Sequence, residues 1–182
     1  TPNYLWTLAA VPNDPQYAQQ WAHQTVHSEQ GWNASVGRSN VVIAIIDTGV
    51  DWNHPDLAAN IWSNRDEIPG NSIDDDFNGY VDDVRGWDFV DTTNSFTYDP
   101  SEDMGPADNN PADYHGHGTM VAGVAAAVGS NGIGIAGASW ACGLMPLRVG
   151  YAQLGVDNPV IETRWVVSAI YYAVNNGAAV IN

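Results

Sequence analysis

The sequence predicts an α/β protein with a doubly wound parallel sheet, and two observations support this prediction. Residues 41–46 are six apolar residues in a row, too few to cross a membrane and without polar alternation, which is the pattern of a parallel strand covered on both faces. Segments of helix and strand character then alternate to the end of the sequence. Strand–helix–strand alternation requires right-handed crossovers and therefore produces a parallel sheet.

The N-terminal part is expected to lead into the first strand through a loose arm. Residues 1–40 form this arm, with one helix predicted at about 15–27, because Asp14 followed by Pro15 is typical of an N-cap and a first helical turn. The first strand comes next and ends in the polar turn Asp47-Thr48-Gly49. Functional sites gather at the carboxyl ends of strands in open α/β sheets, so this turn is a candidate site.

The remaining elements follow a long polar segment. Residues 60–111 are rich in aspartate, with a short edge strand predicted at 84–90, and so long an irregular stretch is typically functional or held together by ions. A helix is predicted at 117–128, a strand at 144–149, an amphipathic helix at 163–176 and a last strand at 179–181. The apolar face of the 163–176 helix is expected to consist of Val166, Val167, Ile170 and Val174, and Asn176-Gly177 is a typical C-terminal signal.

The charge balance is strongly acidic. The 182 residues contain 21 acidic and 5 basic side chains, for a formal charge of −16, and 17 of the acids are aspartates. Such a surface repels nucleic acid phosphates and anionic membranes, so neither is an expected partner. The short aspartate carboxylate suits rigid oxygen cages for hard cations, so Ca²⁺ is the expected ligand. Cys142 is the single cysteine, which excludes an intrachain disulfide, and it is interpreted as a buried small hydrophobe.

Asp47 and His117 lie in distinctive segments. Taken alone, Asp47 could be a turn residue and His117 a helix cap or a surface residue. Their contexts, Ile45-Ile46-Asp47-Thr48-Gly49-Val50 and Gly116-His117-Gly118-Thr119, occur together with His54-Pro55-Asp56-Leu57. Together these segments resemble the subtilisin-like serine peptidases, especially their thermitase-like branch. The similarity continues through residues 13–15, 134–138, 145–149 and 179–182, and so covers nearly the whole sequence.

The resemblance implies a serine endopeptidase in which Asp47 and His117 are catalytic. Serine attack on an amide needs a base that titrates near neutral pH, which histidine provides, and a buried carboxylate that fixes the imidazole tautomer. His115 is the rival base, but the Gly-His-Gly-Thr context belongs to His117. Met120 departs from the family, which often has a second histidine at that position.

The resemblance also implies that residues 1–182 are the N-terminal part of a single subtilisin-like catalytic domain, truncated before its C-terminal strands. The family's oxyanion asparagine and its nucleophilic serine lie beyond the matched part, and Ser130, Ser139 and Ser168 lack the nucleophile's context. We therefore expect the isolated chain to be inactive. The alternative is a calcium-stabilised, non-catalytic fragment or a self-associating module. A dinucleotide-binding enzyme is disfavoured, because no Gly-x-Gly-x-x-Gly follows the first strand.

Three further expectations concern the surroundings of such a peptidase. The opening Thr1-Pro2 indicates a processed, secreted protein. Residues 150–161 replace the family's short substrate-binding edge with a longer segment that contains Pro159, so the substrate subsites there are in doubt. The expected partners are a polypeptide substrate in the complete enzyme and, at the strand edge of residues 178–182, the missing C-terminal half or a second copy of the chain.

Two calcium sites are expected. The insertion at 60–111 contains a segment that begins like an EF-hand loop, although Arg85 replaces the final glutamate, and a solvated acidic turn is the alternative. Its expected ligands are Asp74, Asp76, Asn78, Tyr80, Asp82 and Asp83. The second site is implied by the resemblance, in which Asp14 and Asp56 share an ion with the loop after the histidine helix. That loop would contribute Asn131 and the backbone carbonyls of Gly129, Ile133 and Ile135.

Overall fold

A four-stranded parallel sheet organises the chain. The computed structural model describes residues 10–92 and 98–182. Strand β1 (Val42–Asp47) pairs in parallel with β3 (Gly143–Arg148) on one side and with β6 (Val180–Ile181) on the other, while the short strand β2 (Trp87–Asp88) pairs with the far edge of β3. The predicted α/β class with a parallel sheet is confirmed, and the edge strand predicted at 84–90 is only these two residues long.

Helices cover both faces of this sheet, as a doubly wound fold requires. On one face Ile45 and Leu144 pack against helix α3 (His117–Ala126). On the other face Ala44 and Met145 pack against helix α4 (Thr163–Asn175). Successive residues of β1 thus face opposite helices, which is why the strand is apolar throughout instead of alternating with polar residues. No helix in the described part of the chain is long and apolar enough to cross a bilayer.

The prediction of which residues of α4 face the sheet is wrong. Val167, Ile170 and Val174 are 46%, 40% and 59% exposed, and only Val166 of the predicted set packs against the core. The buried face instead consists of Trp165, Ala169, Tyr172 and Ala173. The helix carries two apolar faces, and helical periodicity alone does not tell which of two apolar faces turns toward the sheet.

The N-terminal arm also differs from its prediction. In place of one helix over 15–27, the arm contains a 3-10 turn at Tyr17–Gln19 and two short helices, α1 (Trp21–Thr25) and α2 (Ser28–Trp32). His27 separates the helices because it adopts a left-handed conformation with φ of 58°. Trp32 anchors the arm by donating its indole N–H to the Ala138 carbonyl at 2.9 Å and by packing at a tilted angle against Trp140.

The segment at 150–161 forms a β-hairpin, which the sequence patterns did not indicate. Strand β4 (Gly150–Gln153) pairs antiparallel with β5 (Val156–Ile161), which contains Pro159. The other edge of β4 is also engaged, because the Asp99 amide donates to the Ala152 carbonyl at 3.2 Å. A proline is compatible with β5 because an edge strand has one side free of ladder hydrogen bonds.

A buried charge network connects the sheet to this hairpin. Arg148, at the end of β3, is fully buried and binds Asp88 through one guanidinium nitrogen and Glu102 through the other, the latter at 2.6 Å. Glu102 in turn accepts the Ala152 amide of β4. Burial raises the pKa of Asp88 to about 7, although the Arg148 guanidinium opposes this shift. One guanidinium serves two buried carboxylates, so a proton on Asp88 near neutral pH relieves the excess negative charge.

We expect Arg148→Met to lower the free energy of unfolding by about 3–5 kcal/mol, because it leaves two buried carboxylates without their cation. The loss should be larger at pH 8 than at pH 5, since protonation of Asp88 at the lower pH removes one of the unpaired charges. Arg164→Met is the control: Arg164 pairs with Glu162 at 2.7 Å, but its side chain is 60% exposed, so its loss should cost less than about 1 kcal/mol. Urea unfolding followed by tryptophan fluorescence measures both, and equal costs would contradict the assignment.

Candidate active site

The structure brings Asp47 and His117 together at the carboxyl end of the sheet. Asp47 is the last residue of β1 and His117 the first residue of α3. The Nδ1 atom of His117 lies 2.7 Å from Oδ1 of Asp47. Asp47 is 8% exposed, whereas the His117 side chain is 49% exposed, so the carboxylate is buried and the imidazole reaches solvent.

The surroundings of Asp47 assign the tautomer of His117. The Thr48 amide donates to the same Oδ1 atom at 2.7 Å, which fixes the orientation of the carboxylate. An ionised carboxylate only accepts hydrogen bonds, so we assign the proton of the neutral imidazole to Nδ1. The Nε2 atom is then the basic nitrogen of the ring and is available to take a proton.

Two glycines allow the β1 turn and α3 to approach this closely. A Cβ atom on Gly118 would lie 2.1 Å from the Gly49 carbonyl oxygen and 3.2 Å from Oδ1 of Asp47. Gly49 itself has a φ of 105°, and a Cβ atom there would lie 2.3 Å from the Ala112 carbonyl oxygen. The glycines of both motifs are therefore needed for the contact between strand end and helix start.

His115, the rival base, is placed differently. Its ring centroid lies 6.4 Å from that of His117, and its backbone amide donates to Asp113 at 3.0 Å. The hydrogen bond with Asp47 is made by His117. The arrangement therefore favours His117 as the base, in agreement with its Gly-His-Gly-Thr context.

The serines that the sequence analysis considered lie in other surroundings. Ser139 donates its hydroxyl to the Val36 carbonyl at 3.4 Å, and Ser168 donates to the Arg164 carbonyl at 3.1 Å. The Ser130 amide binds Asp14. Within residues 10–92 and 98–182, no serine hydroxyl is hydrogen-bonded to the His117 ring. The described residues can thus hold and move a proton at Nε2 of His117, while the three serines considered bind other groups.

Asp113 is a residue of this site that neither sequence motif includes. Its carboxylate accepts hydrogen bonds from the Thr48 hydroxyl at 2.8 Å and from the Thr119 amide at 2.8 Å. Thr48 follows Asp47, and Thr119 lies in the first turn of the helix that begins at His117. Asp113 lies four residues before His117, outside the Gly116-His117-Gly118-Thr119 motif, so helix-cap spacing gave no signal for it.

The residues of the second expected calcium site, which includes Asp14 of the N-terminal arm, come together around one loop. Asp14 is 5% exposed and accepts the amides of Ser130 and Asn131 at 2.7 and 3.2 Å. Asp56 is 2% exposed and accepts the side-chain amide of Asn131 at 2.8 Å and the Ile135 amide at 2.9 Å. The sequence suggested that Asp14 caps the arm helix. In the structure its side chain instead ties the arm to this loop. Gly129 and Ile133, the other expected ligands, belong to the same loop.

The acidic insertion gathers a different set of carboxylates from the predicted one. Carboxylate oxygens of Glu67, Asp76 and Asp83 lie within 4.8 Å of one another. Asp83 is fully buried and Glu67 is 5% exposed. Oε1 of Glu67 accepts the Asp75 amide at 2.8 Å, whereas its buried Oε2 atom has no hydrogen-bond partner within the described residues. Glu67 lies outside the EF-hand-like segment, so the loop pattern gave no indication of it.

The other residues of the EF-hand-like segment have separate roles. Asp82 is not a member of the three-carboxylate group, because its carboxylate accepts the backbone amides of Gly70, Asn71 and Ser72. Asp74 likewise accepts backbone amides, those of Asn78 and Gly79. Asn78 does reach the group, since its side-chain amide donates to both Asp76 and Asp83 at 3.0 Å.

Tyr80 and Tyr172 form the wall of this group toward the core. The Tyr80 ring packs edge-on against Tyr172 with centroids 4.9 Å apart, so Tyr80 contributes an aromatic contact next to the carboxylates. The Tyr172 hydroxyl donates to Asp83 at 2.5 Å. Burial, together with this hydrogen bond to Asp83, raises the pKa of Tyr172 and keeps its hydroxyl protonated.

Comparison with known proteins identifies the family. Residues 38–182 match the model of the Subtilase family of peptidases. The chain is 33% identical over 183 residues to a thermophilic serine proteinase from Bacillus sp. (strain AK1), covering all of this chain and 35% of that protein. It is 35% identical over 175 residues to thermitase from Thermoactinomyces vulgaris, covering 94% of this chain and 47% of thermitase.

A solved structure shows the same fold. The chain is similar to a protease from Pseudoalteromonas arctica PAMC 21717 with a TM-score of 0.68 and 26% identity, over 95% of this chain and 50% of that one. The chain thus spans half or less of the length of these relatives. The subtilisin-like fold expected from the sequence is confirmed by this match. With four-fifths of its length matched by the family model, and the Asp47–His117 pair at the end of the central strand, the chain belongs to the Subtilase family.

Proposed function

We propose that this protein is a serine endopeptidase in which His117 is the general base and Asp47 orients it. The observation that carries the proposal is the 2.7 Å contact between Nδ1 of His117 and the buried carboxylate of Asp47. In this reaction Nε2 of His117 removes the proton from a serine hydroxyl as the oxygen attacks the peptide carbonyl. Asp47 stabilises the imidazolium that forms, and His117 then passes the proton to the leaving amine.

We propose that the nucleophilic serine and the main oxyanion donor come from polypeptide outside these 182 residues. Two observations support this part of the proposal: the serines considered above bind other groups, and the relatives are two to three times as long as their matched segments. A chain without those groups is expected to have no peptidase activity of its own. The alternative is a calcium-stabilised, non-catalytic protein, which the experiments below distinguish from a peptidase.

We expect Asp47→Asn and His117→Ala to lower kcat of the whole gene product by about 10⁴-fold with little change in KM, because both groups act on the proton in the transition state and not on substrate binding. Initial rates of hydrolysis of a chromogenic peptide panel measure both constants.

The matched control is His115→Ala, which removes the neighbouring imidazole and leaves the Asp47–His117 contact in place. Its kcat should stay within about tenfold of wild type. A loss with His115→Ala that equals the loss with His117→Ala would show that the base has been assigned to the wrong histidine.

We propose that Glu67, Asp76 and Asp83 hold a Ca²⁺ ion that stabilises the acidic insertion. Three carboxylate oxygens within 4.8 Å repel one another, and the unpartnered Oε2 atom of Glu67 is buried at the group. A buried anionic oxygen without a hydrogen bond is costly, and a hard cation satisfies it. The neighbouring carbonyl and carboxamide oxygens of the insertion would complete the coordination, because Ca²⁺ accepts six to eight oxygen ligands.

A second Ca²⁺ is proposed at Asp14, Asp56 and Asn131. Here the carboxylates already accept amide protons from the 130–135 loop, so the support for a cation is the family resemblance together with the burial of both aspartates. The contacts themselves fasten the arm to the domain. Calcium sites of this kind suit an extracellular peptidase, since calcium is abundant outside cells, and we propose a secreted location for that reason.

We expect millimolar calcium to raise the melting temperature of the protein by roughly 5–10 °C over EDTA, because the ion binds the folded state only. Glu67→Gln should reduce this shift to the part that the second proposed site supplies, since it takes one carboxylate from the site in the insertion. Asp66→Asn is the matched control: it removes the same charge from the adjacent exposed residue, outside the three-carboxylate group, and should keep the full shift. Differential scanning calorimetry with and without calcium measures all three proteins, and a shift that Glu67→Gln leaves intact would contradict the site.

We propose that the remaining half of a subtilase domain covers the free edge of β6 and the outer face of α4. Val180 and Ile181 of β6 are 49% and 40% exposed, and the exposed valines and isoleucine of α4 give a second apolar surface. Within the described residues, β6 pairs with β1 on one side only. An uncovered apolar strand edge favours the addition of another strand.

The 182-residue chain by itself should therefore associate with increasing concentration, as light scattering can measure. Ile181→Lys should reduce this association, because a charge on an edge strand opposes pairing. Val11→Lys is the control, since Val11 is also exposed but lies in the N-terminal arm. A monomer across the micromolar range would contradict the proposal.

A further inference from the structure

Asp113 accepts more hydrogen bonds at the Asp47–His117 pair than either motif explains. It lies four residues before His117, in the loop that leads into α3. Its Oδ1 atom accepts the Thr48 hydroxyl at 2.8 Å, the Gly116 amide at 2.8 Å and the His115 amide at 3.0 Å. Its Oδ2 atom accepts the amide of Thr119 at 2.8 Å and the hydroxyl of the same residue at 2.6 Å.

On the helix side, Asp113 fixes the beginning of α3. The first amides of a helix have no partner within the helix, and Thr119 carries one of them. The carboxylate of Asp113 satisfies this amide and lies at the positive end of the helix dipole. His117 is the first residue of α3, so its backbone position is set where Asp113 holds the chain.

On the strand side, Asp113 acts through Thr48. The buried Thr48 hydroxyl donates to Asp113 and accepts the Gly118 amide at 3.0 Å. The Thr48 backbone amide donates to Oδ1 of Asp47, the same atom that contacts His117. The Thr48 residue thus joins the carboxylate of Asp113 to both members of the pair.

A second threonine repeats this arrangement. The Thr119 hydroxyl donates to Asp113 and accepts the Asp51 amide at 2.9 Å. The turn from Thr48 to Asp51 is therefore held at both ends by hydroxyl groups whose protons point toward one carboxylate. Each hydroxyl donates its single proton to Asp113 and accepts a backbone amide through an oxygen lone pair, so it connects the carboxylate to that amide.

We propose that Asp113 is a positioning residue that sets the distance and orientation of His117 relative to Asp47. The proposal rests on the proposed peptidase function only for its effect on catalysis, since the hydrogen bonds concern the pair itself. A carboxylate suits this position because all five groups that contact it donate hydrogen bonds to it. An asparagine would turn its NH₂ group toward at least one backbone amide in either orientation, so the isosteric substitution loses one or two of the three backbone-amide hydrogen bonds, and the threonine hydroxyl on that side can no longer donate.

The test compares variants of Asp113 and Thr48 in the whole gene product. We expect Asp113→Asn to lower kcat by about 10–100-fold with KM within about twofold, because a misplaced base affects the transition state more than substrate binding. Thr48→Val removes the hydroxyl at nearly constant volume and should lower kcat in the same way. Thr48→Ser keeps the hydroxyl and should restore kcat to within about threefold of wild type.

The control for charge is Asp91→Asn, which removes an exposed carboxylate outside the pair and outside both proposed calcium sites. It should leave kcat and KM unchanged. If Asp113→Asn does not fold, Thr48→Val and Thr48→Ser still test the proposal. Valine and serine at position 48 differ only in the hydroxyl and methyl groups that they carry.

A spectroscopic measurement reports on positioning without reference to activity. The proton that His117 donates from Nδ1 to Asp47 is expected to give a far-downfield ¹H NMR resonance. This resonance should move upfield or broaden beyond detection in Asp113→Asn and Thr48→Val, and persist in Thr48→Ser and Asp91→Asn. An unchanged resonance in Asp113→Asn, or equal kcat for Thr48→Val and Thr48→Ser, would overturn the proposal. If the wild-type gene product has no peptidase activity, the proposed function fails, while the resonance still decides the role of Asp113.

Discussion

The parallel pairing of β1 with β3 is the constraint on which the rest of the molecule depends. Its register places Asp47 beside Arg148 at the carboxyl end of the sheet. Helices must cover both faces of these two strands, and this brings α3, with His117 at its start, to the end of β1. The same strand ends carry a buried guanidinium that attracts Asp88 and Glu102 and so fixes the hairpin and the long insertion beside the site. The positions of the Asp47–His117 pair and of the hairpin and insertion beside it thus all follow from the pairing of β1 with β3.

The abundance of aspartate has a structural role apart from catalysis. Most of the described part of the insertion lacks a helix or a long strand, so its backbone amides need other hydrogen-bond partners. Its carboxylates accept these amides. Asp82, which accepts three of them, is the clearest case. Asp113 follows the same rule at the beginning of α3. The Glu67 group is different, because there carboxylates face one another and a buried oxygen has no donor among the described residues. This contrast separates aspartates that replace backbone partners from those that are suited to hold a cation.

Much of the fold could be predicted from the sequence, because β1, α3 and β3 have strong local patterns. The Asp47–His117 contact also followed from two motifs at element ends. The three-carboxylate group was only partly predictable, since Glu67 is distant from the loop pattern and joins it through folding alone. The inward face of α4 was misassigned because both of its stripes are apolar, and local sequence does not record that the stripe with Tyr172 reaches Asp83. The role of Asp113 depends on bonds to residues on two different elements, which spacing alone does not reveal.

In the proposed reaction, Asp47 and His117 activate a serine supplied from outside this chain. Fluorophosphonate labelling of the whole gene product, with the modified residue mapped by mass spectrometry, is the decisive experiment. We expect one labelled serine outside residues 1–182, with labelling abolished by His117→Ala and no labelling of the 182-residue chain alone. A labelled serine within these residues, or labelling that persists without His117, would contradict it.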